Sequence, residues 1–190
     1  MKRIIVILIG FLFVTQINAQ KLDGFWSIPW KSSLTETKNI MESKGLVSNS
    51  TSGNILNYSN IEFAGRTGKL SLYFDRDRFY GSSFRIKPIK NNALKEYLSL
   101  KNDLIKKYNK PTMDKEEYLY PYKKGDGYEE TAIAGNSTNI DCSWWFDDSS
   151  AIILSVSSED YEITIILSYY YGDIMKEITQ KKSDSINNDL

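Results

Sequence analysis

The side chains of this chain that could do chemistry are carboxylates, amines and phenols, because the sequence has no histidine and only one cysteine. Without imidazole the chain lacks the commonest general acid and base, and it can form no Ser-His or Cys-His nucleophile pair and no histidine-containing zinc site. A single cysteine can form neither an intrachain disulfide nor a thiolate metal cluster. The composition therefore favours a non-catalytic protein and leaves any enzymatic role to Asp, Glu, Tyr or Lys.

Three close pairs of acidic residues are the candidates for calcium binding or for paired carboxylates. They are Asp75 with Asp77, Asp147 with Asp148, and Glu159 with Asp160. Calcium takes about six to eight oxygen ligands, and none of the three segments has that spacing. Each pair lies at a predicted hairpin turn, where Asp is favoured for backbone reasons. We interpret all three pairs as solvated turns, so the sequence predicts no metal ion, no cofactor and no catalytic residue.

Aromatic residues are the feature with the most functional content. Eight of the 13 tyrosines lie within residues 118–171. Tyr118, Tyr120 and Tyr122 share one strand parity, and Trp145 has the parity opposite to its apolar neighbours and should face outward. Exposed Tyr and Trp offer rigid contact area to a protein or a sugar ring. These four are the candidate partner-binding residues; the alternative is a tyrosine-rich edge of the core whose hydroxyls reach water.

The one cysteine, Cys142, has the strand parity of Trp144 and Phe146. A free cysteine among such residues is usually a small buried apolar side chain. We therefore predict that Cys142 lies in the core; the alternatives are a reactive thiol and an intermolecular bridge.

Two amphipathic helices are predicted to support these residues. The first spans residues 33–44: Ser33 and Glu36 have the spacing of a capping box, and Gly45 can end the helix in the left-handed conformation. The second begins at Asn91 or Asn92 and ends before Pro111. A short helix at residues 174–178 is allowed by the pattern.

Segments of alternating polarity predict a sheet. The predicted extended segments are 22–28, 55–63, 69–75, 79–87, 116–122, 128–134, 140–146, 151–156 and 162–170. Each half of the chain thus has one helix followed by an antiparallel meander. This order predicts an α+β fold of two helix-plus-meander halves, with the helices packed on one face of a single curved antiparallel sheet.

The first nineteen residues have the order of a secretory signal peptide: Lys2 and Arg3, an apolar run, and a small residue, Ala19. The apolar run is too short for a permanent anchor, and no cysteine follows it to carry a lipid. We predict a cleaved signal peptide at 1–19, a single domain at 20–180 and a disordered tail at 181–190. The mature protein is expected to be secreted or periplasmic, with no stable membrane anchor.

The charge balance argues against nucleic acid as a partner. The chain has 24 basic and 24 acidic residues, so that without Lys2 and Arg3 there are 22 basic against 24 acidic. Binding to phosphate backbones needs a concentrated basic surface. The lysine pairs of this sequence lie among acidic or polar residues and are interpreted as solvated surface.

Three fragments together resemble a group of small exported proteins of unknown function from Gram-negative bacteria of the Bacteroidota type. They are residues 28–33 (IPWKSS), 104–111 (LIKKYNKP) and 144–146 (WWF). That group has a "PWG-S" opening, a "KYG-P" helix end and a "W" strand, and here Lys31 and Asn109 replace the usual glycines. These motifs are structural and carry no chemistry.

The repeated helix and meander also resemble the fold of the beta-lactamase inhibitory protein and of small outer-membrane assembly lipoproteins. The resemblance implies a concave sheet that docks a protein partner. This chain departs from those proteins because it has no lipid-bearing cysteine and no disulfide.

The sequence as a whole predicts a non-catalytic exported binding module. Its sheet face, near Tyr118, Tyr120, Tyr122 and Trp145, would dock a protein or a cell-envelope component. The alternative is a carboxylate- and tyrosine-based hydrolase acting on envelope glycan, which requires a cleft with two carboxylates roughly 5 to 9 Å apart. A structural envelope protein without a ligand is the third possibility.

Overall fold

The computed structural model describes residues 21–146 and 149–189 and shows an α+β fold. The predicted signal peptide and the pair Asp147–Asp148 lie outside the described residues. The helices are α1 Leu34–Ser43, α2 Ala93–Tyr108, α3 Glu129–Ala134 and α4 Gly172–Asp189. The strands are β1 Gly24–Phe25, β2 Ile28–Pro29, β3 Ser50–Ser52, β4 Ile55–Phe63, β5 Arg66–Asp75, β6 Arg78–Ile86, β7 Met113–Tyr118, β8 Thr138–Trp145, β9 Ala151–Glu159 and β10 Glu162–Tyr170.

One antiparallel sheet of eight strands has the order β3-β4-β5-β6-β10-β9-β8-β7, and β1 and β2 form a small separate hairpin. Each half consists of a helix followed by four strands: α1 precedes β3–β6, and α2 precedes β7–β10. The final strands of the two halves, β6 and β10, pair at the centre of the sheet. The prediction of two helix-plus-meander halves in one antiparallel sheet is confirmed.

The sheet has one face covered by helices, and the strand register identifies it. Helix α1 contacts β6, and both α2 and α3 contact β9 and β10. Leu70 on β5 lies opposite Phe84 on β6, which lies opposite Leu167 on β10 and then Leu154 on β9. All four side chains are buried in the same core. We call this side the helix face and the other side the uncovered face.

The start of α1 agrees with its sequence signals. The Ser33 hydroxyl accepts from the Glu36 amide, and the Ser33 amide donates to the Glu36 carboxylate, with a nitrogen-to-oxygen distance of 2.8 Å. This reciprocal pair is the predicted capping box. The hydrogen bond from Ser33 lowers the pKa of Glu36. Gly45 follows the helix with a φ of 76°.

Two segments of the second half differ from the sequence-based prediction. The segment 128–134 is the helix α3, where a strand was expected, because Ala132 and Ile133 are buried and a helical turn places them side by side. Glu130 of its first turn also accepts from the Leu94 amide of α2, with a nitrogen-to-oxygen distance of 2.8 Å. Strand β7 covers 113–118 rather than 116–122, because the chain turns after Tyr118.

The C-terminal helix α4 is longer than the predicted helix at 174–178 and includes most of the segment expected to be disordered. Its first half is attached to the body through Ile174, which is fully buried, and through Glu177, which pairs with Arg78. Residues 181–186 of its second half are exposed, and a side-chain bond from Gln180 to Asp184 joins successive turns. Local pairs of this kind stabilise a helix without an apolar stripe. No helix of the described residues is long and apolar enough to cross a membrane.

Candidate functional site

Tyr118 lies on the helix face and not on the uncovered face. It pairs with Thr138, which has the parity of the buried Ile140 on β8. Its ring packs against the core, and its hydroxyl donates to Glu116 over 3.4 Å. Burial, together with the neighbouring Glu116 carboxylate, raises the pKa of Tyr118 to about 12. This phenol is therefore neutral over the whole physiological range of pH.

Tyr120 and Tyr122 lie beyond the end of β7, in the turn that leads to α3. Tyr120 is 95% exposed, and Tyr122 is half-buried with its amide bonded to the Leu119 carbonyl. The expected strand over 116–122 does not form here, so the shared parity of the three tyrosines does not give them a shared face.

Trp145 is the one sequence-predicted binding residue on the uncovered face. It pairs with Ala151, its ring is 55% exposed, and its indole nitrogen donates to the Ser143 hydroxyl over 3.0 Å. Along β8 it is seven residues from Thr138, the partner of Tyr118. At about 3.3 Å per residue this is about 23 Å, and an odd number of residues reverses the face. The structure therefore does not bring Trp145 and the three tyrosines together.

A line of small polar side chains, interrupted by one isoleucine, runs across the uncovered face. The register places these positions on adjacent strands in the order Asn57, Ser71, Ser83, Ser168, Ile153 and Ser143. We call its four serines, Ser71, Ser83, Ser168 and Ser143, the serine row. Three of them, Ser83, Ser168 and Ser143, are buried.

Aromatic side chains form the wall on one side of the serine row. We call Tyr73, Tyr80, Tyr170 and Trp145 the aromatic row. The rings of Tyr73 and Tyr80 have centroids 6.2 Å apart at an interplanar angle of 33°. The Tyr170 ring covers Gly81, because a Cβ built on that glycine would lie 2.9 Å from Tyr170 Cδ1.

The three tyrosines of the aromatic row are half-buried and neighbour one another. Burial raises the pKa of Tyr80, and the nearby phenols of Tyr170 and Tyr73 add to the increase. The Tyr80 phenol therefore remains neutral, and each of the three rings presents both apolar area and a hydroxyl. The alternation of side chains along β5 and β10 could have indicated this row. Tyr73 lies between the core residues Leu72 and Phe74, and Tyr170 follows the core residue Tyr169, so both tyrosines should point to the opposite face. What the sequence did not show is that β5, β6 and β10 are neighbours.

Basic residues lie on the other side of the serine row. Lys69 on β5 is directly opposite Arg85 on β6, and both are exposed. Within the described part of the chain, neither side chain forms an ion pair or a hydrogen bond. Like charges directly opposite in a sheet are destabilising. Glu159 and Glu162 form another like-charge pair, across β9 and β10, but Glu162 is paired with Lys87. The Lys69–Arg85 pair differs because it has no partner of opposite charge within the described residues.

Beyond the aromatic row, charged side chains at the end of the uncovered face attach α4 to the sheet. Arg78 donates to Asp75 over 3.0 Å and to Glu177 over 2.8 Å, and Arg76 bonds both carboxylates as well. The hydrogen bond from Arg78 lowers the pKa of Glu177. Partial burial acts to raise the pKa of Asp75, but hydrogen bonds from Arg76 and Arg78 outweigh it and lower the value. Both carboxylates are ionised and paired with arginines, so this cluster attaches α4 to the hairpin of β5 and β6.

Cys142 is fully buried on the helix face, as its parity predicted. The Tyr97 hydroxyl donates to its sulfur over 3.4 Å. Burial raises the pKa of the Cys142 thiol to about 11, although the Tyr97 hydrogen bond acts in the opposite direction. The reactive species is the thiolate, so the structure favours the packing role over a reactive thiol.

This assignment predicts the reactivity of the thiol. At pH 8, we expect Cys142 of the folded protein to react with Ellman's reagent at least about 100-fold more slowly than in the urea-unfolded chain, because a pKa raised by about two units lowers the thiolate fraction by that factor. Burial of the sulfur slows the reaction further. Equal rates in the folded and unfolded chains would contradict the buried placement.

Among the residues that the structure describes, no three acidic or cysteine side chains come together as possible metal ligands.

Comparison of the chain with protein-family models, curated proteins and solved structures finds no match. The resemblance drawn from the three sequence fragments therefore stays a prediction.

Proposed function

We propose that this chain is a non-catalytic exported binding module whose uncovered sheet face docks a protein or another component of the cell envelope. Export to the periplasm or beyond rests on the signal-peptide pattern of residues 1–19. The observation that carries the docking role is the aromatic row beside the serine row, on a face that α1, α2 and α3 leave open. Tyrosine and tryptophan combine large contact area with few rotatable bonds, and they dominate the energetics of binding surfaces.

The hydrolase alternative is not favoured by the carboxyl groups of the described residues. A glycosidase needs one carboxylic acid whose pKa is raised, so that it can protonate the leaving group. The carboxyl groups with a clear shift are Glu36, Asp75, Glu117, Glu162 and Glu177, and the pKa of each is lowered. Hydrogen bonds from neighbouring side chains or from the backbone lower them, which suits ion pairing and not general-acid catalysis.

The proposal is tested by comparing two exposed aromatic residues in different places. Trp145→Ala removes a ring from the uncovered face, and Tyr120→Ala removes a ring from the turn after β7. Co-sedimentation of the purified mature protein with cell-envelope fractions measures binding. We expect Trp145→Ala to bind about 30-fold more weakly, which corresponds to a hot-spot loss of about 2 kcal/mol, and Tyr120→Ala to bind as the wild type does.

Both variants should melt within a few degrees of the wild type, because both side chains are largely exposed. Undiminished co-sedimentation of Trp145→Ala would contradict the proposal. So would an equal loss in both variants, since that would place the contact area away from the uncovered face.

A further inference from the structure

Lys69 and Arg85 form a like-charge pair across β5 and β6 that has no carboxylate partner among the described residues. Glu159 and Glu162 are another like-charge pair of this sheet, but Glu162 is paired with Lys87. Elsewhere on the uncovered face, Lys115 lies opposite Asp141, and Asp75 lies opposite Arg78. Each of these cations therefore has a carboxylate across the strand. Lys69 has Arg85 across the strand, and the two positive charges repel. This pair of cations lowers the stability of the sheet and has no carboxylate partner among the described residues. Both side chains are therefore available to bind an anion.

The surroundings of the pair do not neutralise it. Lys87, further along β6, is already bonded to Glu162. Glu62 on β4 lies opposite Thr67, but it forms no ion pair with Lys69 in the described part of the chain. The Lys69–Arg85 pair therefore keeps two positive charges without an ion-pair partner among the described residues.

The serine row continues directly from this pair. Ser71 follows Lys69 by two residues, and Ser83 precedes Arg85 by two, so the hydroxyl pair and the cation pair are adjacent on one face, about 7 Å apart along the strands. The Ser71 hydroxyl is bonded to Asn57 over 2.8 Å. A ligand lying across β5 and β6 can thus meet two cations and a line of polar oxygens.

The aromatic row completes the surface on the far side of the hydroxyls. From Tyr73 on β5 to Trp145 on β8 it crosses four strand spacings, or about 19 Å. A surface of this length accommodates several units of an extended polymer. Its order from one side to the other is cations, hydroxyls and aromatic rings.

This order of groups matches a sugar polymer better than a protein. The cores of protein interfaces are depleted in serine and lysine, whereas a polysaccharide offers hydroxyls to a hydroxyl row and apolar ring faces to aromatic side chains. The unpaired cations call for an anionic group, which a uronic acid supplies as its carboxylate. We propose, as an extension of the proposed function and resting on it, that the docked envelope component is an acidic polysaccharide, with its carboxylates on Lys69 and Arg85 and its sugar rings on the aromatic row.

The test uses polygalacturonate, a polymer of a uronic acid, and dextran as a neutral polymer, with affinity measured by calorimetry at low and high salt. We expect the wild type to bind polygalacturonate and not dextran, with binding that weakens as salt screens the charges. The double variant Lys69→Ala/Arg85→Ala should bind at least tenfold more weakly. The matched control is Lys115→Ala, which removes an exposed cation of the same face that has carboxylate partners in Glu117 and Asp141, and it should bind within twofold of the wild type.

The outcomes separate this inference from the proposed function. Failure of the wild type to bind polygalacturonate overturns the inference. The proposed function is then still tested separately, by the co-sedimentation of Trp145→Ala with envelope fractions. Equal binding of dextran, or an equal loss in Lys115→Ala and in the double variant, also overturns it, since either shows that the Lys69–Arg85 pair does not select the ligand. The double variant relieves a like-charge contact and should fold, which its melting temperature checks.

Discussion

Replacing Phe84 with alanine is expected to lower the free energy of unfolding by about 3 to 5 kcal/mol. Phe84 lies on β6, at the seam where the two halves of the sheet meet, and its side chain is 1% exposed. It is flanked by Leu70 on β5 and by Leu167 on β10, and its ring contacts Phe63 with centroids 5.5 Å apart. Loss of this ring leaves a cavity between the halves that rigid strands cannot close.

The next residue along the same strand supplies the control for Phe84. Arg85→Ala changes a side chain on the uncovered face, where it is exposed and has no partner within the described residues. Its effect should stay within about 0.5 kcal/mol, as for most surface substitutions. Urea unfolding followed by circular dichroism measures both variants. Similar losses of unfolding free energy in the two variants would show that Phe84 and Arg85 do not lie on opposite faces of β6, as the register indicates they do.

The parts of the fold that local patterns encode could be predicted from the sequence. Ser33 and Glu36 satisfy the free amides of their own helix start, so their spacing alone marked the beginning of α1. Leu70, Leu72 and Phe74 alternate with polar residues, so parity alone identified the buried side of β5. Both signals depend on neighbours within a few residues, and both are confirmed by the structure.

The parts that depend on distant contacts could not be predicted in the same way. Segment 128–134 has no strong period, and its helical state depends on burying Ala132 and Ile133 under α2 and against the sheet. The prediction of the candidate site also depended on structure that local patterns do not specify. Tyr118, Tyr120 and Tyr122 share parity in the sequence, but a turn after Tyr118 removes the strand on which that parity depends.

The aromatic row shows a different case, in which one member was predicted but the group was not. Trp145 was expected to face outward, and it does. Its common surface with Tyr73 exists only because β6 pairs with β10, a contact between residues 79 to 89 positions apart in the sequence. A sequence pattern specifies the face of a strand, whereas the order of strands in the sheet decides which outward residues become neighbours.

The adjacent tryptophans of β8 test the assignment of the two faces most directly. Trp144→Ala is expected to lower the free energy of unfolding by about 3 to 5 kcal/mol, because its side chain is 2% exposed and its indole nitrogen donates to the Asn109 carbonyl over 2.9 Å. This bond connects β8 to the end of α2. Trp144→Phe keeps most of the packing but removes the bond, so it should have a smaller effect.

Trp145→Ala removes the same kind of side chain one residue further along, and it should cost at most about 1 kcal/mol, because its ring is largely in water. The two unfolding midpoints, measured in urea under identical conditions, therefore compare the two faces of one strand with one residue type. A loss for Trp145→Ala as large as that for Trp144→Ala would place both indoles in the core. In that case the uncovered face would lose its exposed tryptophan, and the proposed docking surface would lose the residue on which its test depends.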